Sequence, residues 1–153
     1  MDRIDQSDRN GGGVDWLRRC LFWVLILGLV GTEAELLLME HYENPLQFTP
    51  LLLIALAFVV LLWHRKSPAS ASRRSLTILM WLFVIAGFVG VALHIRGAVL
   101  YQLELDPDIA RWELLKKAMR AKAPPVLAPG VMLQFGLIGL AYLFSDSQNK
   151  GPV

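Results

Sequence analysis

Four long apolar runs dominate this sequence, and each is long enough to cross a lipid bilayer as a helix. The hydrocarbon core of a bilayer is about 30 Å thick, so a helix that rises 1.5 Å per residue needs about 20 residues to span it. The runs cover residues 17–40, 45–64, 75–96 and 125–144. They predict an all-α, polytopic membrane protein in which residues 16–145 form a bundle of four transmembrane helices.

The composition excludes several other classes of protein. The chain is 55% hydrophobic and 18% charged, whereas soluble domains are about 45–50% apolar and 25% charged. The only cysteine is Cys20, so a secreted domain held together by internal disulfides is excluded. A net charge of +2 is too small for a nucleic-acid-binding protein. The expected partners are the lipid bilayer, other membrane subunits or further copies of this chain.

The two ends of the sequence read as tails outside the bundle. Residues 1–15 are polar and glycine-containing, which predicts a disordered tail, and residues 146–153 form a second short tail. The first run can also be read as a cleaved signal peptide, because Arg18 and Arg19 precede it and Thr32-Glu33-Ala34 fits a small-residue cleavage site. The apolar run continues past Ala34 to Met39, which favours a span that is retained.

The distribution of basic residues predicts the orientation. The approach to the first span and the second loop are basic, whereas residues 41–44 contain no Lys or Arg. Both termini are therefore expected in the cytoplasm of a bacterial-type inner membrane. The third loop is basic as well. We expect its residues 108–122 to form a short amphipathic helix in the membrane interface, with Trp112, Leu115 and Met119 on the apolar side. A solvated helical linker is the alternative.

Glutamates in the first span provide the candidate site, because an ionisable group at the bilayer centre costs at least about 2.5–3.5 kcal/mol. If this helix continues through residue 43, Glu40 falls within about 20° of Glu33 at 100° per residue. If the first and third spans run antiparallel, His94 near the end of the third span reaches the same depth as His41. Arg96 then lies close to Glu40 and Glu43. If the first and third spans are neighbours, their polar residues meet. The predicted site contains Glu33, Glu40, His41, Glu43 and His94, with Arg96 as ion-pair partner and Glu35 and Tyr42 as secondary members.

Three interpretations of this cluster remain open at the level of the sequence. In the first, Arg96 neutralises glutamates and the network locks helices together, as in a structural or assembly subunit. In the second, the acids and imidazoles bind a divalent metal ion such as Zn, Mn or Fe, or relay protons. In the third, His41 and His94 hold a b-type haem. The sequence contains no Glu-x-x-His or His-x-x-x-His motif and no recognisable set of catalytic residues, so it does not indicate an enzyme.

Overall fold

The protein is all-helical throughout the part of the chain that a computed structural model describes. Those residues are 2–42, 45–120 and 127–148, with side chains described for 12–42, 45–120 and 127–145. Within them the chain forms five α-helices and no strand. The helices are α1 (Asp2–Leu38), α2 (Phe48–Lys66), α3 (Ser70–Leu105), α4 (Arg111–Met119) and α5 (Gly130–Gln148). The predicted all-α class is confirmed.

Three helical stretches are long and apolar enough to cross a membrane. They are Gly12–Leu38 of α1, Phe48–Lys66 and Ser70–Leu105, and a shorter apolar stretch covers Gly130–Ser145 of α5. Large apolar side chains such as Leu27, Phe88 and Leu137 point away from the bundle and are more than half exposed. A contiguous apolar surface of this kind marks contact with a membrane or a partner. The three stretches indicate a membrane protein.

Several helix boundaries differ from the prediction. The segment predicted as a disordered tail is helical from Asp2 onward, as the first part of α1. The third helix is longer than the predicted 75–96 at both ends, and the loop helix covers Arg111–Met119 instead of 108–122. Phe48 begins α2, later than the predicted residue 45. Glu43, a member of the predicted site, and Pro125, where the fourth span was predicted to begin, lie outside the described residues.

The arrangement of the helices corrects the assumption that the first and third spans are neighbours. Helix α5 packs against both α1 and α3, α2 packs against α3, and α1 touches α2 sparsely. The order around the bundle is therefore α1, α2, α3, α5, which places α1 and α3 diagonally opposite. A common core closes the centre, and its fully buried members include Leu25, Leu29, Ile54, Met80 and Phe83.

Glycines allow α3 and α5 to pack closely. A Cβ atom added to Gly87 of α3 would lie 2.5 Å from the backbone nitrogen of Leu133, and one added to Gly136 of α5 would lie 2.7 Å from the carbonyl oxygen of Met80. Small residues at a helix interface let the two backbones approach in this way. The contact between α3 and α5 is the most extensive in the bundle.

The turn between α2 and α3 is held by a buried polar cluster. The Ser72 hydroxyl lies 3.2 Å from Nδ1 of His64, accepts a hydrogen bond from the Ala69 N–H at 3.1 Å and donates to the Ser67 carbonyl at 2.9 Å. A hydroxyl has one hydrogen and two acceptor positions. Donation to the Ser67 carbonyl, or to the Ala69 carbonyl at 3.0 Å, therefore leaves the hydroxyl to accept from the Ala69 N–H and from an Nδ1–H of His64. Buried His64 also meets the Tyr142 ring edge-on, which connects the turn to α5.

Helix α4 packs back against the end of α3. Ala118 is fully buried against Ala98, and Ile95 and Val99 flank this contact. Trp112 is two-thirds exposed, and Leu115 and Met119 are exposed as well. The helix therefore buries one small residue against α3, and the three residues predicted to form its apolar side lie on its exposed surface.

Candidate functional site

A cavity of about 440 Å³ lies at the end of the bundle where α1 ends and α2 and α5 begin. We call it the end cavity. Its wall combines residues from α1, the turn that follows, the segment leading into α2, the middle of α3 and the start of α5. Most of the wall is apolar, and its polar members are Thr32, Glu35, His41, Gln47, Thr49 and His94.

The structure brings His41 and His94 to the same cavity, as the predicted common depth requires. His41 lies in the turn after α1, and His94 comes from α3. Burial lowers the pKa of the His41 imidazole from its usual 6.5, and the positive charge of a protonated His94 lowers it further. The two rings therefore influence each other electrostatically although their helices lie diagonally across the bundle.

Glu35 also belongs to the wall of the end cavity. Thr32, Leu36 and Met39 line the same wall. Counted from Thr32, the four residues have the spacing i, i+3, i+4 and i+7, which defines one face of a helix. The sequence makes Glu35 only a secondary member of the predicted site, because it falls nearly opposite Glu33 on the helix. The face Thr32-Glu35-Leu36-Met39 is a signal in the sequence that could have assigned it to a cavity.

Glu33 does not line the end cavity, but it points toward the interior of the bundle. It follows the fully buried Leu25 and Leu29 at intervals of four residues, which places it on the same face of α1. Its Oε2 atom is buried and has no hydrogen-bond partner among the described residues. A buried polar group without a partner is rare in folded proteins and needs an explanation.

The predicted ion pair with Arg96 does not form within the described part of the chain. The Arg96 side chain is exposed, and neither Glu33 nor Glu40 pairs with it. The ion pairs that are present, Asp15–Arg18 and Glu113–Lys117, lie elsewhere. The structure therefore gives no support, among these residues, to the interpretation that Arg96 locks α1 to α3.

The predicted row of acids along α1 is interrupted because the helix ends before it reaches Glu40. Leu38 is the last residue of α1, and Glu40 has a φ of 52°, in the left-handed region that interrupts a right-handed helix. Glu40 and Tyr42 are exposed, and the Tyr42 ring lies 6.4 Å from that of Phe48. Glu43 lies outside the described residues. Glu40 is thus not stacked above Glu33.

Two of the predicted cofactor sites can be compared with this geometry. In residues 2–42, 45–120 and 127–148, no group of three His, Cys, Asp or Glu residues is arranged to hold a metal ion. A haem with two axial histidines would need both imidazoles at one cavity, and His41 and His94 satisfy that single requirement.

Comparison with known proteins adds no family to these observations. No protein-family model, curated protein or solved structure matches the chain significantly. The functional interpretation therefore rests on the end cavity and on the charges around it.

Proposed function

We propose that this protein crosses a bacterial-type cytoplasmic membrane four times and exchanges protons at the end cavity, which faces the outer side. In this proposal α5 is the fourth span, since its 19 residues rise about 28 Å at 1.5 Å each. Both termini lie in the cytoplasm. Helix α4 lies at the outer membrane interface, with Trp112 and Leu115 among the lipids and Lys116 and Lys117 toward the headgroups.

The observation that carries the proposal is that two imidazoles and a carboxyl group line one cavity. Histidine is the side chain whose ordinary pKa lies closest to physiological pH, which makes it a natural proton carrier. Glu33, next in the chain to Thr32 of the cavity wall, has a buried carboxyl oxygen without a hydrogen-bond partner among the described residues. In apolar surroundings such a group is stabilised by binding a proton. His41 and His94 would exchange protons with the outer solution, and Glu33 would hold one deeper in the bundle.

The titration of His41 tests this proposal directly. In protein with ¹⁵N-labelled histidine, reconstituted in nanodiscs, we expect nuclear magnetic resonance to give a pKa for His41 below 6.5. His94→Gln should raise this pKa because it removes the positive neighbour. Arg96→Gln is the matched control: it removes an exposed charge close to His94 in the chain, and we expect no comparable shift.

A His41 pKa at or above 6.5 in the wild type would contradict the proposed site. The sign of the stability change provides a second readout. Because the pKa of His41 is lower in the folded protein, the unfolded chain binds more protons below about pH 6.5. The contribution of His41 to the free energy of unfolding is therefore fully present above that pH and is lost as the pH falls toward the folded-state pKa. His41→Gln should reduce this loss.

The orientation is tested by the accessibility of single cysteines in a Cys20→Ser background. Tyr42 and Ser70 are exposed and lie at opposite ends of α2 and its flanking turns. We expect a membrane-impermeant maleimide added to intact spheroplasts to label Tyr42→Cys and not Ser70→Cys, with Ser70→Cys labelled only after lysis. The reverse pattern would place the end cavity on the cytoplasmic side.

One observation favours the rival function of an assembly subunit. The 36 residues of α3 span about 54 Å, which exceeds the hydrocarbon core of a bilayer. Its final part exposes Tyr101 and Leu105, close to Trp112 in the chain. Exposed apolar side chains outside the hydrocarbon core are stabilised by burial against another protein, and another membrane subunit can provide that contact. Extraction in mild detergent would then yield a complex of defined stoichiometry.

A further inference from the structure

We infer that the end cavity binds a lipophilic cation, that is, a positive charge carried on an apolar body, with the Glu35 carboxylate as its counter-ion. The inference rests on the same cavity as the proposed proton exchange and names the class of ligand that this cavity takes. It requires three properties of the site: sufficient room, an uncompensated negative charge and access from the membrane.

The room is sufficient for a molecule of drug size. Pockets that bind such ligands have volumes of about 300–1,000 Å³ and mostly apolar walls with a few polar groups. The end cavity, at about 440 Å³, has this size and this composition. Apolar residues from three helices, such as Leu36, Val89 and Met132, supply its hydrophobic surface. An apolar body gains free energy there by leaving water.

The charge on the wall selects the sign of the ligand. Among the described residues that line the cavity, Glu35 is the single acid, and no Lys or Arg is present. Burial and His94 favour the neutral form of His41 through its lowered pKa. At pH 8, above the ordinary histidine pKa of about 6.5, the lowered pKa keeps the His41 imidazole neutral. The Glu35 charge is then uncompensated at the cavity, and opposite charges attract more strongly near apolar walls than in water.

The cavity is accessible from the side of the bundle. Helices α1 and α2 touch sparsely, and the cavity lies where α1 ends and α2 begins. Met39, directly after α1, and Leu46, just before α2, line the cavity and are each more than 60% exposed. An amphiphile dissolved in the membrane can reach the cavity between them. Inside the cavity, the imidazole rings of His41 and His94 provide further polar surface for the ligand.

A pair of probes with one shape and opposite charge tests the inference. Tetraphenylphosphonium and tetraphenylborate are nearly identical in size and differ in sign. We would measure saturable binding of each to the purified full chain in nanodiscs at pH 8, with empty nanodiscs subtracted. Glu35→Gln removes the charge, and Glu40→Gln is the matched control. It makes the same chemical change at an exposed acid of the next turn that is not on the cavity wall.

The expected result is saturable binding of the phosphonium, at least about tenfold weaker in Glu35→Gln and unchanged in Glu40→Gln, with no saturable binding of the borate. The affinity for the phosphonium should fall as the pH drops through the lowered pKa of His41, because the protonated imidazole repels the cation. Absence of saturable phosphonium binding, or equal affinity for both probes in wild type and Glu35→Gln, would overturn the inference. Neither outcome affects the His41 titration, so the proposed proton exchange can survive or fail independently.

Discussion

Gly87→Ala is expected to destabilise the bundle by about 1–3 kcal/mol, the usual cost of overpacking. The added methyl carbon would lie 2.5 Å from the backbone nitrogen of Leu133 and 2.8 Å from its Cβ. A backbone atom cannot move aside as the end of a side chain can, so α3 and α5 would have to separate. Their contact is the most extensive in the structure, and the strain would therefore weaken the whole bundle.

Gly97→Ala is the matched control, because it makes the same change in the same helix. A Cβ at Gly97 has no neighbour within 4 Å, and alanine is favoured over glycine in a helix by about 1 kcal/mol. Thermal unfolding in detergent, followed by circular dichroism, should show a lower Tm for Gly87→Ala and an equal or higher Tm for Gly97→Ala. Equal melting temperatures for the two variants would show that α3 and α5 do not pack as closely as described.

Ser72→Ala is expected to cost about 1–3 kcal/mol of stability, the penalty for leaving buried polar groups without partners. The hydroxyl is fully buried and joins His64, Ala69 and Ser67. Its removal takes this contact from the Nδ1 atom of His64, whereas the Ala69 N–H keeps its 2.8 Å hydrogen bond to the Ser67 carbonyl. Because His64 also packs edge-on against Tyr142, the loss should extend from the α2–α3 turn to α5.

Ser70→Ala is the corresponding control, since Ser70 is an exposed residue two positions earlier in α3. The two variants should differ in Tm and in proteolysis at the α2–α3 turn, with Ser72→Ala cleaved faster. Identical behaviour would mean that the buried cluster does not hold the turn.

The helical class and the approximate positions of the three long apolar helices could be predicted because both depend on properties of short segments. An apolar run has to be helical in lipid, where backbone groups have no other partners. The helix ends were less accurate. The sequence after Leu38 remains compatible with a helix, and only the left-handed conformation of Glu40 shows that α1 has ended.

The composition of the site could be predicted only in part. Residue type and position along the chain placed His41 and His94 in one predicted site, and both line the end cavity. The neighbours of each helix depend on the packing of the complete bundle, and so the insertion of α5 between α1 and α3 could not be inferred from local pattern. That insertion also explains why Arg96, on α3, does not meet Glu33 or Glu40. Glu35 was only a secondary member of the predicted site because it lies nearly opposite Glu33 on α1.

The central place of α5 determines the order in which the bundle can assemble. Helices α1, α2 and α3 precede α5 in the chain, so in the proposed four-span arrangement they enter the membrane before it during synthesis. Until α5 arrives, Gly87 and Gly28 have no partner helix, because the neighbours of these glycines are Leu133 and Phe135 of α5. The end cavity is incomplete at that stage as well, since Val131 and Met132 form part of its wall. In the proposed four-span arrangement, the end cavity is therefore complete only after α5 has been inserted.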